Sequence, residues 1–149
     1  MPRTWTHTTE VAARPEEVID ILTDPAAAMR WSPFPFALDE LDGERLEEGS
    51  VARVSGSLAG FGVGFELEVY AADAERLELV ARGPVDIDVL YEIEDLEDGT
   101  TDLHASVSVT GRGLRGKALS RATEGLLAGG ALGAAVGRIA REAEELELV

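Results

Sequence analysis

The amino-acid sequence predicts an α+β fold: a curved antiparallel sheet of six or seven strands, covered by a long C-terminal helix, with two short helices after the first strand. Three observations carry this. Residues 63–71, 85–93 and 103–109 alternate apolar and polar side chains with a period of two, as strands buried on one face do. Short turns, Asp98-Gly99 among them, separate successive strands, so neighbours run antiparallel. From Gly113 the pattern turns helical to about Leu146, and this is the only long apolar element that could cover the sheet.

Taken in order, residues 3–12 are rich in Thr and Trp and read as a strand. Pro15 followed by Glu16 and Glu17 is a helix start, with Val18, Ile21 and Leu22 on the apolar face. Asp24-Pro25 repeats the signal, with Asp24 as cap of a short helix ending near Trp31. Pro33 and Pro35 forbid its continuation. Strands follow: one candidate over 50–58, then 63–71, 77–81, 85–93 and 103–109, interrupted at Arg82-Gly83-Pro84. The interior should contain Val63, Phe65, Leu67, Val89, Tyr91, Val107, Leu119, Leu126 and Val136. In the final helix, Arg138–Glu142 and Arg141–Glu145 stand four residues apart, a solvated-surface pattern.

The chain has 149 residues, enough for one domain, 1–149, with a real core. It has no Cys, which excludes disulfides, thiolate zinc sites and thiol catalysis. A net charge of −16 disfavours nucleic acid and anionic membranes as partners. The longest uncharged apolar stretch, 125–137, is too short for a membrane span, and the first residues lack a signal-peptide pattern, so a cytoplasmic location is expected. Lys117 is the only Lys, which suits a G+C-rich or a salt-adapted source equally.

The segments Glu10-Val11-Ala12-Ala13-Arg14-Pro15-Glu16-Glu17-Val18, Leu22-Thr23-Asp24-Pro25 and Trp31-Ser32-Pro33, with Gly49–Val54 and the terminal helix, resemble the START/Bet v 1-like helix-grip superfamily. The likeness is to its polyketide cyclase/dehydrase and lipid-transport type and spans the whole chain. It implies a cavity between the sheet and the final helix, and a small hydrophobic ligand, lipid or polyketide-like. The alternatives are an aromatase/cyclase or dehydratase-like enzyme and a protein-interaction module. No cofactor and no metal are expected. The expected oligomeric state is a monomer or weak homodimer.

Polar candidates for the cavity are few. In the family's layout Val11 points inward, so His7 would too, together with Trp5, and His7 could act as a general base or simply be a structural His. Tyr91 could offer its phenol to a carbonyl or pack in the core. Arg53 could bind an enolate if inward, or lie on the surface. Trp31, Phe34, Phe36 and Phe61 belong to loops that flank the mouth in the family's layout and either gate a ligand or seal the core. The expected ligand contacts are thus Trp5, His7, Trp31, Phe34, Phe61, Phe65, Leu67, Val89, Tyr91, Val107, Leu126, Gly129 and Gly130. Two His make no multi-His metal site. Asp86, Asp88, Glu92 and Glu94 share the outer side of one strand, a weak hint of a cation site. Gly111-Arg112-Gly113-Leu114-Arg115-Gly116 has the spacing of a dinucleotide fingerprint but lacks the second parallel strand such a site needs.

One feature demands an offset. Gly125, Gly129, Gly133 and Gly137 recur every four residues, with Gly130 beside them, and each costs a helix up to ~1 kcal/mol. The stripe could permit close approach to the sheet, expected at Gly133. It could leave room for a ligand, expected at Gly129. It could also face a partner helix.

Overall fold

The computed structural model describes residues 3–34, 36–58, 61–111 and 113–147, with the backbone alone at positions 58, 61, 115 and 147. In chain order the elements are β1 (Arg3–Val11), α1 (Pro15–Thr23), α2 (Pro25–Trp31), β2 (Phe36–Leu41), β3 (Val51–Leu58), β4 (Phe61–Ala72), β5 (Arg76–Arg82), β6 (Val85–Asp95), β7 (Thr101–Gly111), α3 (Gly113–Ala128) and α4 (Ala131–Glu147). The strands form one curved antiparallel sheet in the order β1-β7-β6-β5-β4-β3-β2. All but β1 follow one another as a meander, and β1 returns beside the last strand, with Trp5 opposite Val107 and His7 opposite Ala105. The strand β2, which escaped the sequence pattern, pairs with β3 from Phe36 opposite Gly56 to Leu41 opposite Ala52, with a bulge between Leu38 and Glu40.

The local signals act as expected at both short helices. Pro15 opens α1, which buries Val18, Ile21 and Leu22. The Asp24 carboxylate accepts the Ala26 N–H at 3.0 Å and caps α2. Between β6 and β7, the Asp98 carboxylate accepts the Thr100 N–H at 3.0 Å in the turn that carries Gly99. The inner face of the sheet is apolar along every alternating strand: Leu77 and Leu79 of β5, Ile87 and Tyr91 of β6, and Leu103 and Val107 of β7 are all buried.

The C-terminal segment differs from the expected continuous helix. It breaks at Gly129 and Gly130, where Gly130 has φ +95°, a left-handed conformation that a side chain resists. The break changes the phase of the buried stripe. In α3 the buried positions are Gly116, Leu119, Ser120, Thr123 and Leu127. In α4 they are Leu132, Ala135, Val136, Ile139 and Ala143. An unbroken helix would carry the first stripe on to 130, 131 and 134, so the two-residue turn rotates the chain to bring Leu132 inward. Leu126 lies beside Leu127 on the helix surface and cannot share its face; it is 42% exposed, which corrects its placement in the interior. The other eight expected interior residues face inward.

The glycines have separate duties rather than one. A Cβ at Gly133 would sit 3.2–3.3 Å from the His7 ring, so this position does serve close approach of α4 to β1. Gly129 and Gly130 lie exposed in the turn. At Gly125 and Gly137 a Cβ would meet nothing within 4 Å. The fingerprint-like glycines are a packing device: a Cβ at Gly111 would fall 2.4 Å from the Gly116 carbonyl oxygen, so the end of β7 can lie against α3 only without one. The helix α3 packs on β6 and β7, and α4 packs on β1, α1 and α2. Among the described residues no helix is long and apolar enough to cross a membrane.

Candidate functional site

Because α3 and α4 cover the β1–β7–β6 side of the sheet, the inner face from β2 to β6 needs another cover. It is supplied by α2 and the segment leading into β2. Between them lies an apolar cavity of about 120 Å³. Its floor is Ala52 and Val54 of β3, Val63, Phe65 and Leu67 of β4, Leu79 and Ala81 of β5, and Ile87, Val89 and Tyr91 of β6. Its roof is Pro25, Ala28, Trp31, Ser32, Pro33 and Phe34, with Phe36, Leu38 and Leu46 closing the side. Phe65, Leu67 and Val89 point inward with the core, yet they stay only half-buried because they border this cavity.

Hydrogen bonds hold the roof in place. The Trp31 indole N–H donates to the Ile21 carbonyl at 3.1 Å, which sets the ring edge-on to Tyr91 with centroids 5.2 Å apart and planes at 78°. Arg45 donates to the Thr23 hydroxyl and the Asp20 carbonyl, both at 2.7 Å, and Leu46 N–H donates to the Thr23 carbonyl. These contacts tie the loop before β3 to α1. Arg138 of α4 donates to the carbonyls of Trp31 (3.3 Å) and Ser32 (2.9 Å), where the end of α2 offers unpaired carbonyls to a cation. Arg138 therefore does not form the expected surface pair with Glu142. That carboxylate instead takes Arg30 of α2 at 2.6 Å.

Tyr91 is the one titratable side chain among the described residues of the lining. It is fully buried, and its hydroxyl has no hydrogen-bond partner among the described residues. Burial pushes its pKa well above the usual tyrosine value, and the positive charge of Arg138 opposes this only in part. The hydroxyl is thus a protonated donor at neutral pH.

Of the residues singled out from sequence, the structure brings Trp31, Phe34, Phe36, Phe65, Leu67, Val89 and Tyr91 together around the cavity. The others lie elsewhere. Trp5 is half-buried on β1 under the Arg3 guanidinium, and His7, two residues on, is exposed beside Gly133. Arg53 is exposed on the outer face, in register between Glu40 and Glu66, because its neighbours Ala52 and Val54 take the inner face. Val107 is fully buried one strand beyond the cavity, opposite Val89. Leu126, Gly129 and Gly130 lie on the outside of the helical segment, so no described residue of α3 or α4 lines the cavity. The side chain of Phe61 lies outside the described residues. Asp88, Glu92 and Glu94 are exposed on the outer face, and the described residues contain no cluster of metal-ligating side chains.

Sequence reasoning overlooked Leu38, Leu46 and Arg138. The alternation of Phe36 and Leu38 was a usable signal for the first. Nothing in the sequence marks Arg138 as turned toward Trp31 rather than Glu142.

Residues 2–144 match a family model described as polyketide cyclase / dehydrase and lipid transport. No curated protein sequence matches the chain. Among solved structures, the aromatase/cyclase Zhui from Streptomyces sp. R1128 superposes with a TM-score of 0.75 at 17% identity, over 97% of this chain and 94% of that one. A START superfamily protein from Mycobacterium smegmatis gives 0.68 at 20% identity, over 96% and 98%. Norcoclaurine synthase from Thalictrum flavum, in complex with dopamine and hydroxybenzaldehyde, gives 0.65 at 16% identity, over 95% and 86%. At these identities the likeness is one of fold.

Proposed function

The chain belongs to the polyketide cyclase / dehydrase and lipid transport family of the START/Bet v 1-like superfamily, and from that premise we propose that it binds a small hydrophobic molecule in the cavity beneath α2. The observation that carries this reading is the half-buried state of Phe65, Leu67 and Val89 in the middle of the sheet, beside the buried Val63, Leu79 and Ile87. A core packed for stability alone would fill that space, since interiors are close-packed and voids cost stability. The size narrows the ligand. An apolar cavity of roughly 150 Å³ stays dry and takes up benzene, so about 120 Å³ admits one small ring at most. A longer lipid or polyketide would have to extend past Phe34 and Phe36.

Binding is favoured over catalysis by the chemistry of the lining. An aromatase/cyclase or dehydratase needs a base as well as a donor. Of His7, Tyr91 and Arg53, Tyr91 alone borders the cavity, and it is held protonated. Titration of the protein with ethylbenzene, followed by calorimetry and by NMR shifts of the lining methyl groups, tests the reading. Saturable binding with Kd on the order of 0.1 mM, about −5.5 kcal/mol, is expected. Val89→Phe, which puts a ring into the same space, should abolish it. Absence of saturable binding by folded protein, or equal binding by the Val89→Phe variant, would overturn it.

A further inference from the structure

An open sheet has two edges, and each edge strand offers a row of N–H and C=O groups to another chain; proteins blunt such edges with bulges, charges or short strands. The two edges of this sheet are β1 and β2, and they are built differently. Strand β2 is six residues long, bulges between Leu38 and Glu40 and carries Asp39 and Glu40. Strand β1 is nine residues long and pairs with β7 in unbroken register. No charged residue interrupts it from Thr4 to Thr9. Among the described residues its backbone pairs with β7 alone, and Thr4, Thr6, His7 and Thr8 are exposed.

We infer that β1 is a self-association edge, on which a second copy of this chain adds its own β1 antiparallel about a two-fold axis at His7, joining two sheets into one. This lies beyond the ligand-binding function and does not depend on it. Each copy carries a net charge of −16, so two copies approach at least cost along a neutral strip. Strand β1 supplies one, whereas pairing through β2 would bring Asp39 and Glu40 of both copies together. The register follows from the pleat. Residues directly opposite share a face, so within a self-paired strand their numbers sum to an even value, and an axis at the middle residue, His7, overlaps the whole of β1. Thr6 then lies opposite Thr8 of the second copy, Trp5 opposite its Thr9 and Thr4 opposite its Glu10, so no like charges meet. Arg3 lies opposite Val11 of the second copy. Its side chain is 70% exposed on the helix-covered face and stands 4.0 Å from Glu124. Next to that Val11, Glu144 is held on the Ala12 N–H at 3.1 Å, so the pairing brings a loosely paired cation to a carboxylate at each end. The cavity beneath α2 lies toward the opposite edge of the sheet and stays clear of the interface.

Sedimentation equilibrium tests this. A strand edge buries less than a standard interface, so a dimer with Kd on the order of 10–100 μM is expected. Thr6→Lys/Thr8→Lys sets like charges opposite each other at both crossings and should weaken it about tenfold, whereas Thr6→Lys/Thr8→Glu sets opposite charges there and should keep it within about threefold of the unmodified protein. Both positions are exposed, and circular dichroism checks that each variant folds. Amide hydrogen exchange on the unmodified protein gives a second reading that needs no variant: exchange along β1 should slow as concentration rises, and exchange along β2 should not. A protein that stays monomeric up to about 0.5 mM, well above that Kd, overturns the inference. So does a dimer that Thr6→Lys/Thr8→Lys leaves intact, or exchange along β1 that ignores concentration. A dimer that both double variants abolish overturns the register at His7.

Discussion

Replacing Gly137→Ala should stabilise the protein, whereas the same change at Gly130, seven residues earlier, should destabilise it. Gly137 lies well inside α4, and a methyl added there meets nothing within 4 Å. The full difference in helix propensity, ~0.8–1 kcal/mol, is therefore available. Gly125 is similar but stands near the end of α3, where roughly half that gain applies. Together the two should add about 1.5 kcal/mol, or roughly 3–6 °C in melting temperature for a chain of this size. Gly130 holds φ at +95°, where a side chain costs ~1–2 kcal/mol, so its variant should melt about 3–6 °C lower. Gly133 lies between: the new methyl presses on the His7 ring at 3.2 Å, and that exposed ring can turn away, so the change should be small. Thermal unfolding followed by circular dichroism at 222 nm reads all four. A Gly137→Ala variant that melts no higher would refute the reasoning, as would a Gly130→Ala variant that melts no lower. Sedimentation velocity on the same proteins distinguishes a partner helix on the stripe, since the open methyls at 125 and 137 would then change self-association as well.

Two further outcomes follow from the cavity. In the unfolded chain tyrosine ionises near pH 10, and burial raises this for Tyr91. Above pH 10 the unfolded state therefore loses a proton that the folded state retains, and stability falls by about 1.4 kcal/mol per pH unit from this group. Urea unfolding at pH 8 and pH 11 should show a smaller alkaline loss for Tyr91→Phe than for the unmodified protein; equal losses would contradict the buried, protonated state. Trp31→Ala should cost about 3–5 kcal/mol in the same assay, because the side chain is 4% exposed, meets Tyr91 edge-on and fixes α2 through Ile21. A loss below about 1 kcal/mol would mean that the roof is held by other contacts.

Much of this architecture is legible in local chemistry. Strand faces follow from a period of two, so Val63, Leu77, Ile87 and Val107 could be assigned inward with no knowledge of what lies above them. Pro15, Asp24 and Pro25 mark helix starts because their backbone and capping properties act within a few residues. Periodicity identifies an apolar face but carries no information on which element covers it. The cavity consequently lies beneath α2 rather than beneath the final helix, and Val107, Leu126, Gly129 and Gly130 drop out of its wall. A stripe of glycines shows that a cost has been incurred, and only the neighbouring atoms show where it is offset: at His7 for Gly133, in a left-handed turn for Gly130, nowhere for Gly125 and Gly137. Arg138 illustrates the same limit for charge. Four residues from Glu142 it reads as half of a surface pair, but a long cation goes to whichever acceptors are nearest and least solvated. Those are the carbonyls at the end of α2, brought within reach by the packing of two helices more than a hundred residues apart in the chain.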